Sequence, residues 1–275
     1  MTATTLAAGP VHELVGRQEE RASGRLAVRS PVEQFTYREL VRSAHDLSRR
    51  LTALSPRPEA PVGVCLPPGP RFVAATLAVL ESGGAALPID PGTPPDRVES
   101  ILASARATTC LTDGDGGGGR PASPSPAAEP MVVSRRGQWV AQMREAQLVC
   151  PLAPGDTMLH AAAFGTPDAV MEMFWPLCAG ATVVAHEATD PMSRLLACQR
   201  IRATVMVLPV DGLGEFMDFQ RDHGLLPPPW LRLVVCTGGP PSDLLGRRFA
   251  QQIGRHGCRL HSVAAPRAGE GVPGR

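Results

Sequence analysis

Short apolar segments alternate with amphipathic helical segments along most of this chain, and this alternation constrains the fold more than any other feature. Strands that alternate with helices pair in parallel, because each crossover helix returns the chain to the same end of the sheet. The predicted strands cover residues 26–28, 61–66, 85–89, 108–111, 158–162, 181–185, 204–208 and 231–236. The predicted helices cover residues 11–21, 71–82, 96–105, 137–146, 169–178, 192–200, 214–222 and 242–253, with one more opening at Thr36 and capped by Glu39. The sequence therefore predicts a three-layer α/β fold with mostly parallel sheets.

One segment interrupts the alternation. Residues 113–130 are rich in Gly, Pro and Ser, which cannot bury a core, so we predict a flexible, exposed linker there. The alternation resumes afterwards, which indicates one interrupted domain. We expect a first α/β part at 1–112, the linker at 113–130, a second part of the same lobe at 131–265 and a disordered tail at 266–275.

Charge and composition exclude several classes of function. The formal net charge is +1 at pH 7, whereas a nucleic-acid binder needs a basic face to displace counterions. The first residues lack a basic stretch followed by an apolar one, and no apolar stretch has the length of a membrane span. We therefore expect a cytoplasmic protein that contacts neither membrane nor nucleic acid.

The seven cysteines are dispersed singly, without any C-x-x-C spacing. An odd, scattered set in a chain without a secretion signal predicts reduced, buried thiols, with neither a disulfide framework nor a zinc site. His256 and His261 lack the helical spacing of a metal pair, and no G-x-S-x-G string offers a nucleophilic serine. The chain contains no lysine, so no chemistry in it can use an ε-amino group.

Several strings resemble a known family. Phe35-Thr-Tyr-Arg-Glu-Leu40 is similar to L-T-Y-x-E-L, and the segment 80–91 is similar to L-x-x-G-A-A-Y-V-P-I-D-P. Further matches are Leu152-Ala-Pro-Gly-Asp156 to L-x-P-G-D, residues 171–184 to W-E-I-F-W-P-L-x-x-G-A-T-V-V, and residues 231–239 to L-R-x-V-x-x-G-G-E. By these strings the chain resembles a truncated N-terminal lobe of a nonribosomal peptide synthetase adenylation domain, of the AMP-forming acyl-adenylate ligase superfamily.

The resemblance implies the large lobe of adenylate-forming enzymes, here incomplete, and an activity in which an amino-acid carboxylate attacks the α-phosphate of ATP. The family uses ATP and Mg²⁺, and partners implied by resemblance are other synthetase proteins or a small MbtH-like helper. The matching strings are mostly strand ends, caps and turns, so they indicate ancestry more than activity. Residues 171, 173, 174 and 175 are predicted to form a buried helix face, and Asp211–Gly214 a helix entry.

The catalytic strings of the family are altered. Its phosphate loop, T-S-G-T-T-G-x-P-K-G, should lie just before Met131-Val-Val-Ser-Arg-Arg-Gly137, where the 113–130 linker stands. That linker has three acidic residues, Asp113, Asp115 and Glu129, and no lysine, unlike a loop that cradles phosphate. The motif N-x-Y-G-P-T-E falls on Ser262 to Ala268, which places alanine where the family has its metal-binding glutamate. We therefore predict no catalytic residues, no metal site and no bound cofactor.

A vestigial substrate site is predicted at Asp168, Thr237, Gly238 and Gly239. The family's amine-binding aspartate aligns with Pro167, so Asp168 either substitutes for it after a backbone shift or is an exposed residue at a helix start.

Residues expected beyond Arg275 in the family include the ribose-binding aspartate and the small mobile lobe. The leading hypothesis is therefore a catalytically inactive, adenylation-like protein of nonribosomal peptide biosynthesis. The alternatives are a split ligase completed by a partner chain in trans, and a docking module for synthetase proteins. The altered pocket positions leave the ancestral amino acid open.

Overall fold

The computed structural model describes residues 6–54, 58–113, 133, 138–163, 165–186 and 190–263, with backbone only at 54, 138, 139 and 167. The helices are α1 Val11–Ala22, α2 Tyr37–Leu54, α3 Pro70–Glu81, α4 Pro95–Ser104, α5 Gln138–Val149, α6 Pro167–Ala179, α7 Pro191–Ile201, α8 Val210–Asp222 and α9 Asp243–Gln252. The strands are β1 Leu26–Arg29, β2 Gln34–Thr36, β3 Pro61–Cys65, β4 Ala85–Pro88, β5 Thr109–Thr112, β6 Thr157–His160, β7 Thr182–Ala185, β8 Val205–Pro209, β9 Leu233–Thr237 and β10 Arg259–Ser262.

The strands form two sheets. The larger has the order β10-β9-β8-β6-β7-β1-β2, and the smaller has the order β4-β3-β5. Every pairing between these strands is parallel except that of β1 with β2. The mixed α/β fold with mostly parallel sheets is therefore confirmed. The β1–β2 hairpin joins the larger sheet through β7, so the N-terminal part of the chain contributes to both sheets.

Most elements lie where the sequence predicted them, with four informative differences. The sequence predicts that residues 35–36 open helix α2, but Gln34–Thr36 forms an edge strand. Thr36, the last residue of this strand, also caps α2. Strand β10 is absent from the predicted strands, because it has only four residues and its side chains are half-buried or exposed. α8 begins at Val210 rather than near Gly214, and β6 ends at His160 rather than at residue 162. The predicted capping box is confirmed, since Thr36 N–H donates to Glu39 Oε2 at 2.8 Å and Glu39 N–H donates to Thr36 Oγ1 at 3.3 Å.

The linker at 114–130, the string at 131–137 apart from Val133, and the tail from 264 onward lie outside the described residues. Val133 forms an antiparallel bridge with Ala86 of β4. The domain boundaries proposed at 112/113, 130/131 and 265/266 stay predictions.

Two hydrophobic clusters lie on opposite faces of the larger sheet. On β8, Val205 and Val207 pack into the first cluster, while Met206 and Leu208 pack into the second. The first cluster contains α6 with parts of α1, α2 and α3, and the second contains parts of α7, α8 and α9. Helix α6 is apolar on every side, as a helix between two packed layers must be. Its residues 171, 173, 174 and 175 are buried, as predicted.

All seven cysteines are free thiols, as predicted, and five of them are buried. Burial raises the pKa of the Cys178 and Cys198 thiols to about 12, so both are protonated at neutral pH. Within the described ranges, no helix combines the length and the apolar character that a membrane crossing requires.

A partly buried ion pair ties the amino ends of three strands together. Asp156 immediately precedes β6 and is 5% exposed. Its carboxylate accepts from Arg232 Nε at 2.6 Å, from Arg232 Nη2, and from Thr204 Oγ1 at 2.8 Å. Arg232 lies just before β9 and Thr204 just before β8. Asp156 and Arg232 belong to the L-x-P-G-D and L-R-x-V strings, so the two strings are joined by a salt bridge.

We expect Asp156→Asn to destabilise the protein by about 2–3 kcal/mol at pH 7, less than for a fully buried pair because the Arg232 side chain is 31% exposed. Burial pushes the pKa of Asp156 up, but the bonds from Arg232, Ala153 N–H and Thr204 outweigh it, and the net pKa lies below its ordinary value. The carboxylate's contribution is therefore complete above about pH 5 and lost as the pH falls through the folded-state pKa.

Urea unfolding at several pH values measures this contribution. The difference between wild type and Asp156→Asn should shrink below about pH 4, where the Asp156 carboxylate takes up a proton in the unfolded chain before it does so in the folded protein. Asp222→Asn is the matched control, because Asp222 pairs with Arg221 at an exposed site and should change stability by less than about 1 kcal/mol. A difference that stays constant down to pH 2 would contradict the assignment.

Gln220 of α8 is fully buried, with 0% of its surface exposed. Among the described residues, neither its Nε2 nor its Oε1 has a hydrogen-bond partner. A desolvated amide without a partner costs about 1–3 kcal/mol, so we expect Gln220→Met to stabilise the protein by about 1–2 kcal/mol. Thermal unfolding followed by circular dichroism measures the change. The exposed Gln251→Met of α9 is the control and should have no effect.

Candidate functional site

The larger sheet has a topological switch point between β6 and β8. The crossover α6 leads from β6 to β7 on one side, whereas α8 leads from β8 to β9 on the other side. Crossovers that diverge in this way leave a crevice at the carboxyl ends of the two strands, which is where open α/β sheets bind ligands. The residues at this edge are therefore the candidate site.

Asp168 lies over this edge, in the first turn of α6. Thr237, the last residue of β9, donates from Oγ1 to Asp168 Oδ2 at 2.9 Å. Because β8 lies between β6 and β9, this bond crosses the carboxyl end of β8. Thr166 caps the helix by accepting from Ala169 N–H at 3.3 Å, which sets the start of α6 and the place of Asp168.

Gly238 and Gly239 continue the chain from β9 with φ values of +84° and +128°. A Cβ atom at either position would meet nothing within 4 Å, so space does not require glycine there. The backbone conformation does, since side chains other than glycine rarely adopt such φ values. The two glycines thus turn the chain away from β9 and leave Thr237 facing Asp168.

Asp168 is half-buried. Burial raises the pKa of its carboxyl, the charge of Glu172 raises it further, and the Thr237 hydrogen bond and Arg194 act in the opposite direction. The net pKa lies above the ordinary value for aspartate. A carboxylate held in this way gains from a cationic partner, which would stabilise its ionised form.

Glu172 lies one turn further along α6 and is 1% exposed. Its Oε2 accepts from the N–H groups of Ala161 and Ala162, both at 2.8 Å, and from His160 Nδ1 at 3.0 Å. These bonds end β6 at His160, because the next two amides turn toward Glu172 and away from the sheet. His160 also borders a small apolar pocket between α3 and α6, whose walls include Phe72, Met173 and Phe174.

The structure thus brings Asp168, Thr237, Gly238 and Gly239 together at one edge, and their role as a substrate site stays a prediction. Asp168 is neither fully exposed nor free. Pro167, where the family's aspartate aligns, is the first residue of α6. Sequence reasoning missed Glu172 and His160. The available signal was an ionisable residue inside an otherwise apolar segment from Val170 to Leu177, since such a residue is buried only with partners.

The described residues do not fit magnesium-bound ATP. In the described ranges no group of three or more His, Cys, Asp or Glu side chains is placed to hold a metal ion. The half-buried side chain of Asp168 at the crevice is acidic and would repel phosphate. The family's glutamate position, Ala268, lies outside the described residues. We therefore derive no step through ATP or Mg²⁺.

The mixed α/β architecture, with its mostly parallel larger sheet and a second parallel sheet beside it, matches the large lobe of adenylate-forming enzymes. A family model described as AMP-binding enzyme matches residues 15–133 and 131–263. The chain belongs to this family, and it matches the N-terminal lobe of adenylation domains from nonribosomal peptide synthetases.

Related proteins and solved structures agree with this family assignment. The chain is 42% identical over 102 residues to phosphinothricin tripeptide synthetase PhsC of Streptomyces viridochromogenes, which covers 37% of this chain and 9% of that protein. It is 31% identical over 274 residues to an isonitrile lipopeptide synthase of Streptomyces coeruleorubidus, which covers 84% of this chain and 19% of that protein. The nonribosomal peptide synthetase FmoA3, solved with AMPPNP, superposes with a TM-score of 0.78 at 26% identity, over 96% of this chain and 32% of that one. The chain thus spans a minor part of each of these proteins.

We expect Thr237→Val to raise the pKa of Asp168 further, because the substitution removes the hydrogen bond that favours the ionised carboxylate. A ¹³C NMR titration of the aspartate carboxyl carbons measures the change. The shape of the side chain is nearly kept, so the fold should be unaffected. Asp156, at the opposite end of the larger sheet, serves as the internal reference, and its carboxyl signal should respond to pH alike in both proteins. An Asp168 pKa that falls in the variant would contradict the geometry.

Proposed function

We propose that this chain works in nonribosomal peptide biosynthesis as an adenylation-domain-like protein that does not itself activate an amino acid. The observation that carries the proposal is the absence of lysine from the whole sequence, together with a lysine-free Gly/Pro segment at the place of the phosphate loop. Attack of a carboxylate on the α-phosphate builds negative charge at phosphorus, and catalysis requires fixed positive charge or a metal to stabilise it.

The electrostatics of the crevice support the same conclusion. Asp168 and Glu172 are close enough for the charge of Glu172 to raise the pKa of Asp168. Arg194 of α7 opposes this effect through its positive charge. Two carboxylates at one edge favour an amine and disfavour a triphosphate.

In place of adenylation, the proposed function is binding. We propose that Asp168, Thr237, Gly238 and Gly239 are a remnant of the substrate crevice and that the protein acts through contacts with synthetase proteins. A small MbtH-like helper is a further proposed partner. The intact packing around α6 supports this, since a scaffold that keeps its core can keep its docking surfaces after the chemistry has changed.

Amino-acid-dependent exchange of pyrophosphate into ATP tests the proposal. We expect no exchange above background with any of the twenty common amino acids and Mg²⁺, while an active adenylation domain in parallel gives a strong signal. Calorimetric titration with magnesium-ATP should show no binding heat. Exchange by the purified chain would overturn the proposal. Exchange that arises only after co-expression with a synthetase protein would instead favour a split ligase completed in trans.

A further inference from the structure

The buried carboxylate of Glu172 is used by no step proposed above, although it has more hydrogen bonds than any other acidic group of α6. It lies inside an apolar helix with its side chain 2% exposed, and the imidazole of His160 beside it is 3% exposed. Placing a carboxylate in such surroundings is costly unless hydrogen bonds and charge compensate. The compensation here comes from three donors, all of which belong to one short piece of chain, residues 160–162.

That piece of chain is the turn between β6 and α6. The amides of Ala161 and Ala162 donate to Glu172 and not to a neighbouring strand. The same turn is fixed at its far side by Thr166, whose Oγ1 donates to the carbonyl of Ala163 at 2.8 Å. Thr166 in turn accepts from Ala169 N–H and so determines where α6 starts.

Asp168 lies between these two attachments. It follows Thr166 by two residues and precedes Glu172 by four, so Asp168 and Glu172 share one face of α6. Glu172 is therefore hydrogen-bonded to the beginning of the turn and Thr166 to its far side, and Asp168 lies between these two residues in the sequence. Any shift of the turn would move the Asp168 carboxylate relative to Thr237.

We propose that Glu172 is a positioning residue, whose ionised carboxylate fixes the turn between β6 and α6 and thereby sets the Asp168 carboxylate at the switch point. The inference rests on the proposed binding role of Asp168. It adds a reason for the glutamate of the W-E-I-F-W string, which the sequence alone presents as one residue of a buried helix. It also explains the burial of His160, which donates to the same oxygen and borders the apolar pocket.

Amide exchange followed by NMR, without nucleotide or amino acid, tests this. Ala161 and Ala162 report on the turn, Ala169 reports on the helix start beside Asp168, and Val207 of β8 is the internal reference for global stability. Glu172→Met keeps the volume and removes the acceptor. We expect exchange at the three alanines to rise about tenfold relative to Val207, the ratio that corresponds to one net hydrogen bond.

Glu172→Gln is the conservative variant. Its side-chain oxygen still accepts from both amides but without charge, so we expect a smaller rise, about threefold, because charge-assisted bonds are roughly twice as strong as neutral ones. This variant also carries the test if the methionine variant does not fold. Exchange equal to that of wild type in the glutamine variant would then show that the charge is not used and would overturn the proposal.

Gln147→Met is the matched control. Gln147 is also buried against α6. It bonds to the N–H and the carbonyl of Leu152 and accepts from Trp175 Nε1 at 2.8 Å, and none of these bonds involves the described residues of the turn. It should leave the ratio of the three alanines to Val207 unchanged. An equal rise in this control, or no rise in Glu172→Met, would overturn the proposal. Because no catalysis is measured, these outcomes are independent of the pyrophosphate exchange result.

Discussion

Helix α6 is the constraint on which the rest of the structure depends. Apart from Asp168 and Glu172 its side chains are apolar, so it must be covered on nearly every side, and α1, α5, β6, β7 and β8 all contact it. Trp175 at its centre is 0% exposed and its indole N–H donates to Gln147, while Tyr37 of α2 donates to the carbonyls at the helix end, Leu177 and Ala181. Covering this one helix therefore brings the N-terminal helices and the larger sheet together.

Two buried carboxylates, those of Asp156 and Glu172, lie at opposite ends of the larger sheet, and the two ends are built differently. At the amino ends, the Asp156 carboxylate forms an ion pair with the Arg232 guanidinium, and this pair connects three strands, as suits a structural role. At the carboxyl ends, Glu172 has backbone amides and an imidazole as partners, and Asp168 has a single hydroxyl. Asp168 is thus the less completely satisfied carboxylate, and it is the one at the edge where parallel sheets bind ligands.

The fold could be predicted from the sequence because the alternation of apolar strands and amphipathic helices is strong between residues 61 and 253. The exceptions have physical causes. Strands β2 and β10 lie at the two edges of the larger sheet, where one neighbour is missing and the alternation is correspondingly weak. β6 ended early because a tertiary contact, that of Glu172, took the amides of the next two residues. No local pattern reports a contact of that kind. The same reasoning applies to the site: Asp168 could be located from a family string, but its bond to Thr237 joins residues 69 positions apart.

The fold and the catalytic site of this family tolerate substitutions to different degrees, and the reason is physical. The fold rests on many apolar contacts, each of modest weight, together with a few satisfied polar groups, so it tolerates gradual substitution. Adenylation rests on a few charges placed around one phosphorus atom, and the loss of a single cation costs several kcal/mol of transition-state stabilisation, by the scale of oxyanion-hole deletions at about 2.7–4 kcal/mol. A chain without lysine can therefore keep α6 and its surroundings intact. Glu172 belongs to the scaffold, because its partners include backbone amides, which do not depend on the side chains at those positions.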